Sequence, residues 1–180
     1  MKKYEFTGET KQAGVLEWNE LHRIRAVVDF GEIKAGDLGG WIEKEDNLSH
    51  EDESWVSDSA EVYGNARVSG NAWVVGNARA SGSAWVSGSA WIGGDARVSG
   101  NAEVWKTTHV LVIGPIGSRN DYTTFYRDKD NEITVACGCF LGKLDEFLRR
   151  VEEEHGDNKH ALVYRAAAET AKAQIDLGEG

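Results

Sequence analysis

Cysteine and proline are scarce in this chain of 180 amino acids, which contains two cysteines and one proline. Cys137 and Cys139 are separated by a single residue, so they cannot form the disulfide framework of a small secreted domain. This usage favours a reducing compartment, and we expect a cytoplasmic protein. The opening MKKYEFTGET lacks the apolar core of a signal peptide, and no stretch reaches membrane-spanning length. We therefore expect no membrane partner.

Positive charge is also in deficit. Lys and Arg number 20 against 30 Asp and Glu, giving a formal net charge of −10 at pH 7. A nucleic-acid groove needs clustered basic side chains, so we expect no nucleic-acid partner. Glycine, in contrast, is abundant at 21 residues, and a repeat accounts for many of these glycines.

The repeat has a period of six residues and runs without a gap from Trp55 to Ala102. Each unit places an aliphatic residue second and a small alanine last, which is typical of a parallel β-helix with both facing inward. Glycine or a small polar residue between them suits a turn, and it would destroy an α-helix. The eight units read WVSDSA, EVYGNA, RVSGNA, WVVGNA, RASGSA, WVSGSA, WIGGDA and RVSGNA.

These hexads resemble the left-handed β-helix of hexapeptide-repeat proteins, in which three hexads form one triangular coil. The resemblance implies left-handedness, and it implies that residues eighteen apart stack at about 4.8 Å. The first residue of each hexad should point outward. Three outward columns are therefore predicted: Trp55, Trp73 and Trp91; Glu61, Arg79 and Arg97; and Arg67, Trp85 and Glu103.

The fold class predicted for the whole chain is mainly β. Residues 1–40 form an N-terminal β cap, residues 41–105 the hexapeptide-repeat β-helix, and residues 106–180 a small α+β domain with three strands and two helices. A hairpin should turn at Lys129–Asn131. The inward faces of the two helices are predicted to carry Leu141, Leu144, Phe147, Leu148 and Val151, and Leu162, Tyr164, Ala168, Ala171 and Ile175.

The phrases KYEFTGETK, GDLGGWIEKEDNLSH and IGPIGSRN, together with the GNA hexads, resemble a group of phage and prophage proteins. That group is generally described as hexapeptide-repeat or acyltransferase-like. The resemblance implies a phage-type protein acting in the cytoplasm of a bacterial host. Because hexapeptide-repeat proteins are commonly trimers, it also implies a homo-oligomer, with a trimer favoured.

An acyltransferase is one alternative for the function. By resemblance, such enzymes use a histidine as general base and bind coenzyme A between subunits. No histidine occurs between Trp55 and Ala102, and His109 is the one nearest this end of the coils. We therefore expect a protein that is not an enzyme and that uses no cofactor.

The preferred hypothesis is a non-catalytic binding protein that sequesters a small anionic, nucleotide-derived ligand, such as a host immune signal. Glycines, hydroxyls, an arginine and a helix start are combined in the C-terminal domain, and these groups suit a phosphate. The candidate ligand-binding residues are Gly114, Gly117, Ser118, Arg119, Thr123, Thr124, His155, Asn158 and His160.

Two further alternatives stay open. We expect no bound metal, but Cys137, Cys139, His155 and His160 loosely resemble a zinc ligand set. The chain could also be a structural or partner-binding solenoid in which Trp55, Trp73 and Trp91 form an interface.

Overall fold

Each hexad forms a two-residue strand followed by a turn. The computed structural model describes residues 1–14 and 18–178, and its repeat region contains nine short strands. Glycine is required where these turns stack closely: Gly82 has φ +64°, and a Cβ there would lie 2.8 Å from the Gly100 amide nitrogen of the next coil. The strands are β4 (Trp55–Val56), β5 (Glu61–Val62), β6 (Arg67–Val68), β7 (Trp73–Val74), β8 (Arg79–Ala80), β9 (Trp85–Val86), β10 (Trp91–Ile92), β11 (Arg97–Val98) and β12 (Glu103–Val104).

The coils stack in parallel with a register of eighteen residues. Trp55 pairs with Trp73, and Trp73 pairs with Trp91. The backbone amide of Trp55 donates to the Ala72 carbonyl at 3.0 Å, and this pattern repeats along the coils. The aliphatic and alanine positions are buried in one continuous core. The predicted β-helix is thus confirmed as a parallel β-solenoid of about 4 turns.

The first turn precedes the uninterrupted hexads. β3 (Leu38–Ile42) lies parallel to β5, with Ile42 opposite Val62, and Leu48 bridges to Val68. These partners are twenty residues apart, not eighteen, because two additional residues lie in the acidic segment before β4. A 3₁₀ turn at Glu45–Asn47 starts that segment.

The N-terminal segment extends one side of the solenoid. β1 (Tyr4–Ala13) and β2 (Asn19–Ala26) form an antiparallel hairpin, and β2 pairs with β3. The result is a six-stranded sheet in the order β1-β2-β3-β5-β8-β11. Lys3 also reaches the start of the coils, where its Nζ donates to the Ser54 carbonyl at 2.6 Å.

The C-terminal segment is a four-stranded antiparallel sheet followed by two helices. Its strands are β13 (Val110–Ile116), β14 (Asp121–Arg127), β15 (Ile133–Cys137) and β16 (Phe140–Lys143), and its helices are α1 (Leu144–His155) and α2 (Lys159–Gln174). The predicted hairpin turn at Lys129–Asn131 lies between β14 and β15. The fourth strand, β16, was not predicted.

Two details of the predicted helices are wrong. Leu141 lies in β16 and is 51% exposed, because Gly138 reverses the chain and the helix starts only at Leu144. Leu162 is 60% exposed on α2, since the buried face of that helix is formed by Ala161, Tyr164 and the alanines that follow.

The C-terminal sheet covers the last turn of the solenoid. The last coil has no further coil above it to accept its backbone N–H groups. Side chains of β14 supply the missing acceptors: the Arg97 amide donates to Thr124 Oγ1 at 2.9 Å, and the Ser99 amide donates to the Tyr126 hydroxyl oxygen at 3.4 Å. The sheet therefore ends the solenoid and is fixed relative to it.

Candidate ligand-binding site

A cavity of about 230 Å³ lies in the C-terminal domain. The β13–β14 loop contributes Ser118 and Arg119, and the β15–β16 turn contributes Cys137 and Cys139. The remaining walls come from Phe140 of β16, from α1 and from Tyr164 of α2. The cavity thus lies where two loops of the sheet meet both helices.

Aromatic rings form its apolar wall. Phe147 packs edge-on against Tyr164 at 5.6 Å between ring centroids, and His155 stacks on the same tyrosine at 5.8 Å and 27°. Phe140 contacts Phe147 at 5.6 Å. Burial raises the pKa of the Tyr164 hydroxyl, with a further contribution from Cys137, so this group stays neutral at physiological pH.

Gly117 allows this wall to form. Its φ is +73°, and a Cβ there would lie 2.0 Å from the Tyr164 ring. Any side chain at this position would therefore push the β13–β14 loop away from α2. Gly117 thus lets the loop pack closely on Tyr164, and the exposed residues Ser118 and Arg119 that follow it provide the polar groups of the cavity.

Two arginines contribute positive charge to the cavity. Arg119 Nη1 approaches the Cys139 sulfur at 3.8 Å, and this hydrogen bond raises the pKa of Arg119. Within the described ranges, no carboxylate oxygen lies within 4.0 Å of Arg119. Arg150 stands over the Phe140 ring at 5.4 Å and pairs with Glu146 at 3.7 Å. Among the described residues, the cavity therefore holds one guanidinium without an acidic partner and a second that is weakly paired.

Sequence reasoning missed Arg150. Arg149 and Arg150 both lie at polar positions of the predicted helix, where exposed side chains are expected. The sequence therefore gives no sign that Arg150 contributes to a cavity. Glu154, which also lines it, was missed for the same reason. The lining charges are two arginines against one carboxylate, with His155 beside Glu154 at 4.0 Å.

The structure brings together three of the predicted ligand-binding residues, Ser118, Arg119 and His155, with Gly117 behind them. His160 lies next to this group, with its ring 5.7 Å from that of His155. Four of the nine predicted residues are therefore in or against one cavity, and a fifth is adjacent.

The remaining four predicted residues have other contacts. Gly114 is outside the cavity and packs on Tyr122. Thr123 is buried and donates to the Cys137 sulfur at 3.3 Å, while Thr124 caps the solenoid. The Asn158 side chain accepts from the backbone amides of residues 160 and 161, so it already occupies the helix start that was predicted to hold an anion.

The alternative metal site is not assembled. Across residues 1–14 and 18–178, ligand atoms of three or more metal-binding side chains come together within 4.8 Å only at Asp128, Asp130 and Glu132. Lys143 Nζ occupies the centre of that cluster, at 2.6 Å from both Asp128 and Glu132. Burial alone would raise the pKa of Asp128, but hydrogen bonds from Lys143 and Thr134 hold it below its ordinary value. Cys137 and Cys139 instead flank the Gly138 turn.

The tryptophan column has the predicted register but uneven exposure. Trp73 and Trp91 stack at 5.7 Å between centroids, with an interplanar angle of 5°. Trp91 is 52% exposed, whereas Trp55 is 1% exposed because Tyr4 and Phe30 of the N-terminal segment pack against it. The expectation that Trp55 contributes to an interface is therefore wrong.

A comparison with known protein families gives a match within the hexad region. Residues 60–76 match the family model of the YdcK beta solenoid repeat. No curated protein matches the chain. Together with the stacked coils, the match shows a β-solenoid repeat protein. No helix in the described part of the chain is both long and apolar enough to cross a bilayer.

Proposed function

We propose that the chain is a non-catalytic binding protein that holds a small anionic ligand in the cavity next to Arg119. The observation that carries this proposal is the position of Arg119, which lines an aromatic-walled cavity and has no carboxylate within 4.0 Å among the residues that the structure describes. This site is locally positive in a chain of net charge −10. Over the short distances of a cavity, local charges outweigh the screened field of distant ones.

The walls favour an anion that also carries a ring. Phe147, Tyr164 and His155 provide apolar and stacking contacts, while Arg119 and Arg150 provide donors suited to a phosphate or carboxylate. The volume of about 230 Å³ is below the range of roughly 300–1,000 Å³ common for ligand pockets. We therefore favour a ligand of mononucleotide size or smaller, which agrees with sequestration of a nucleotide-derived signal.

The resemblance to phage proteins gives this activity a biological setting. A phage-type protein in the bacterial cytoplasm would deplete a host immune signal by binding it, and an oligomer would hold several copies. A tight polar cavity suffices for sequestration, and no catalytic base is needed.

The acyltransferase alternative has weaker support. Its general base would have to be a histidine at an open groove, and His109 is the candidate at the end of the coils. His109 is fully buried, its Nδ1 accepts from the Trp105 amide at 3.4 Å, and burial together with the Arg127 charge lowers its pKa. This residue is placed to support the last turn of the solenoid.

A second candidate function is binding of a protein partner or of further copies through the coil surface. The observation that favours it is the exposed aromatic area of Trp91 and Trp85, which are 52% and 53% exposed. Large exposed aromatic side chains are enriched where proteins meet.

Native mass spectrometry of the freshly purified protein, followed by titration with AMP, UMP and inorganic phosphate, tests these proposals. A retained nucleotide-sized mass, or saturable binding of a nucleotide that Arg119→Ala weakens at least tenfold, supports the ligand site. Arg149→Ala is the matched control, since Arg149 lies on the same helix as Arg150, pairs with Glu153 at 2.8 Å and is outside the cavity lining. An oligomer that retains nothing and binds none of the three probes, but dissociates in Trp91→Ala, favours the coil surface.

A further inference from the structure

The turn between β15 and β16 places two thiols in the same cavity. Cys137 ends β15 and pairs with Phe140, which leaves Gly138 and Cys139 as a two-residue hairpin loop. Gly138 has φ +58°, as expected for the first loop residue of a type II′ turn. Both Cys137 and Cys139 line the cavity, and both are free thiols.

Each of the two sulfurs accepts a hydrogen bond from a neighbouring side chain. Arg119 Nη1 lies 3.8 Å from the Cys139 sulfur, and the Thr123 hydroxyl donates to the Cys137 sulfur at 3.3 Å. The guanidinium also lies directly on the turn, because a Cβ at Gly138 would be 2.9 Å from Arg119 Nη1. A neighbouring cation is a common feature of the surroundings of reactive cysteines.

The two cysteines differ in accessibility. Cys139 is exposed, whereas Cys137 is partly buried against Tyr164, whose hydroxyl lies 4.0 Å from the Cys137 sulfur. An exposed thiol next to a cation, with a shielded thiol beside it, is the arrangement of an attacking cysteine and its resolving partner.

The backbone allows the two sulfurs to join. Two residues of fully extended chain span about 7 Å, and a tight turn shortens that distance. The turn therefore brings the two Cα atoms toward the separation of roughly 4.4–6.8 Å that disulfides use.

We propose that Cys137 and Cys139 form a redox-active thiol site that reacts with hydroperoxides and closes to a reversible intramolecular disulfide. The Cys139 thiolate attacks one peroxide oxygen, the O–O bond breaks, and the released hydroxide or alkoxide is protonated. The sulfenic acid so formed is attacked by Cys137, the S–S bond forms, and water leaves. The peroxide is reduced and the two thiols are oxidised, and an external dithiol reverses the step.

This chemistry agrees with the environment expected from the cysteine usage. In a reducing compartment, disulfides are usually transient and serve redox sensing or catalysis. The inference needs no bound ligand and stands apart from the proposed function, although the two sites share Arg119. Ligand binding is measured on the reduced protein, so failure of one proposal leaves the other standing.

The test uses the full-length protein with a small excess of hydrogen peroxide, followed by thiol labelling and intact-mass analysis. We expect the monomer to lose the mass of two hydrogen atoms and two labelling sites, and dithiothreitol to restore both. In Cys137→Ser, we expect Cys139 to be trapped as a sulfenic acid that dimedone labels. In Arg119→Ala, disulfide formation should slow by about two- to fivefold, the effect of losing one exposed charge contact.

The controls decide the outcome. Arg149→Ala should react at the wild-type rate, since Arg149 is outside the cavity. Retention of both labelling sites in the wild type, or a disulfide that joins two chains instead of closing within one, overturns the proposal. So does an Arg119→Ala variant that is folded by circular dichroism and reacts as fast as the wild type, because it removes Arg119 from the mechanism.

Discussion

Replacing Gly82 by alanine tests how closely the coils are stacked. Gly82 has φ +64°, where a Cβ costs about 1–2 kcal/mol, partly offset by about 0.4–1 kcal/mol of lost freedom in the unfolded chain. The new methyl group would also lie 2.8 Å from the Gly100 amide nitrogen, inside van der Waals contact, so two coils must separate locally. Overpacking of this kind typically costs about 1–3 kcal/mol.

Gly94→Ala is the matched control. Gly94 has φ +61°, but a Cβ there meets nothing within 4 Å, so the substitution carries the backbone cost alone. We expect Gly94→Ala to destabilise by about 1 kcal/mol and Gly82→Ala by about 2–4 kcal/mol. Urea unfolding followed by tryptophan fluorescence, with equal m-values, measures both. Equal destabilisation of the two variants would refute the claim that stacking requires glycine.

Three further predictions concern the two ends of the solenoid. Thr124→Val leaves the partly buried Arg97 amide without its acceptor and should lower the free energy of unfolding by about 1 kcal/mol, measured by the same assay. Burial lowers the pKa of Lys3 to about 8 from 10.5. Between pH 8 and pH 10.5 the unfolded chain binds more protons than the folded chain, so the free energy of unfolding should rise with pH. Lys3→Met should reduce this dependence on pH. Trp55→Ala should cost about 3–5 kcal/mol and Trp91→Ala about 1 kcal/mol or less; equal melting temperatures for the two would contradict the difference in burial.

The hexads were sufficient to predict the solenoid because each unit repeats the same inward aliphatic residue, turn residue and corner alanine. Val74 faces inward, Gly76 turns the chain, and Ala78 fits the corner, and the same three choices recur in each coil. The contacts they make are with the equivalent residues of the neighbouring coils. The sequence repeat therefore predicts which residues contact one another in neighbouring coils. The eighteen-residue register followed once three hexads were assigned to a coil.

The C-terminal domain has no period, and its prediction was correspondingly less complete. The β14–β15 hairpin and both helices were found from alternation and apolar spacing. β16 was missed because CGCF continues the predicted hairpin and Leu141 fits the apolar spacing of the first helix, whereas the positive φ of Gly138 produces a turn and a further strand. Four of the nine predicted site residues converge on the cavity, since Arg119 and Ser118 lie on an exposed loop that the helices approach.

What the sequence alone determined is the parallel solenoid and the outward direction of the first residue in each hexad, because the six-residue period repeats the same local contacts. The resemblance to coils of three hexads supplied the eighteen-residue register. Only the tertiary structure decided which outward residues stay exposed. Trp55 and Trp91 occupy equivalent slots, yet the first is buried because Tyr4 and Phe30 fold over it. The pairing of Arg119 with the Cys139 thiol was likewise settled by packing between segments twenty residues apart. Such contacts depend on the shape of the folded chain and leave no spacing in the sequence.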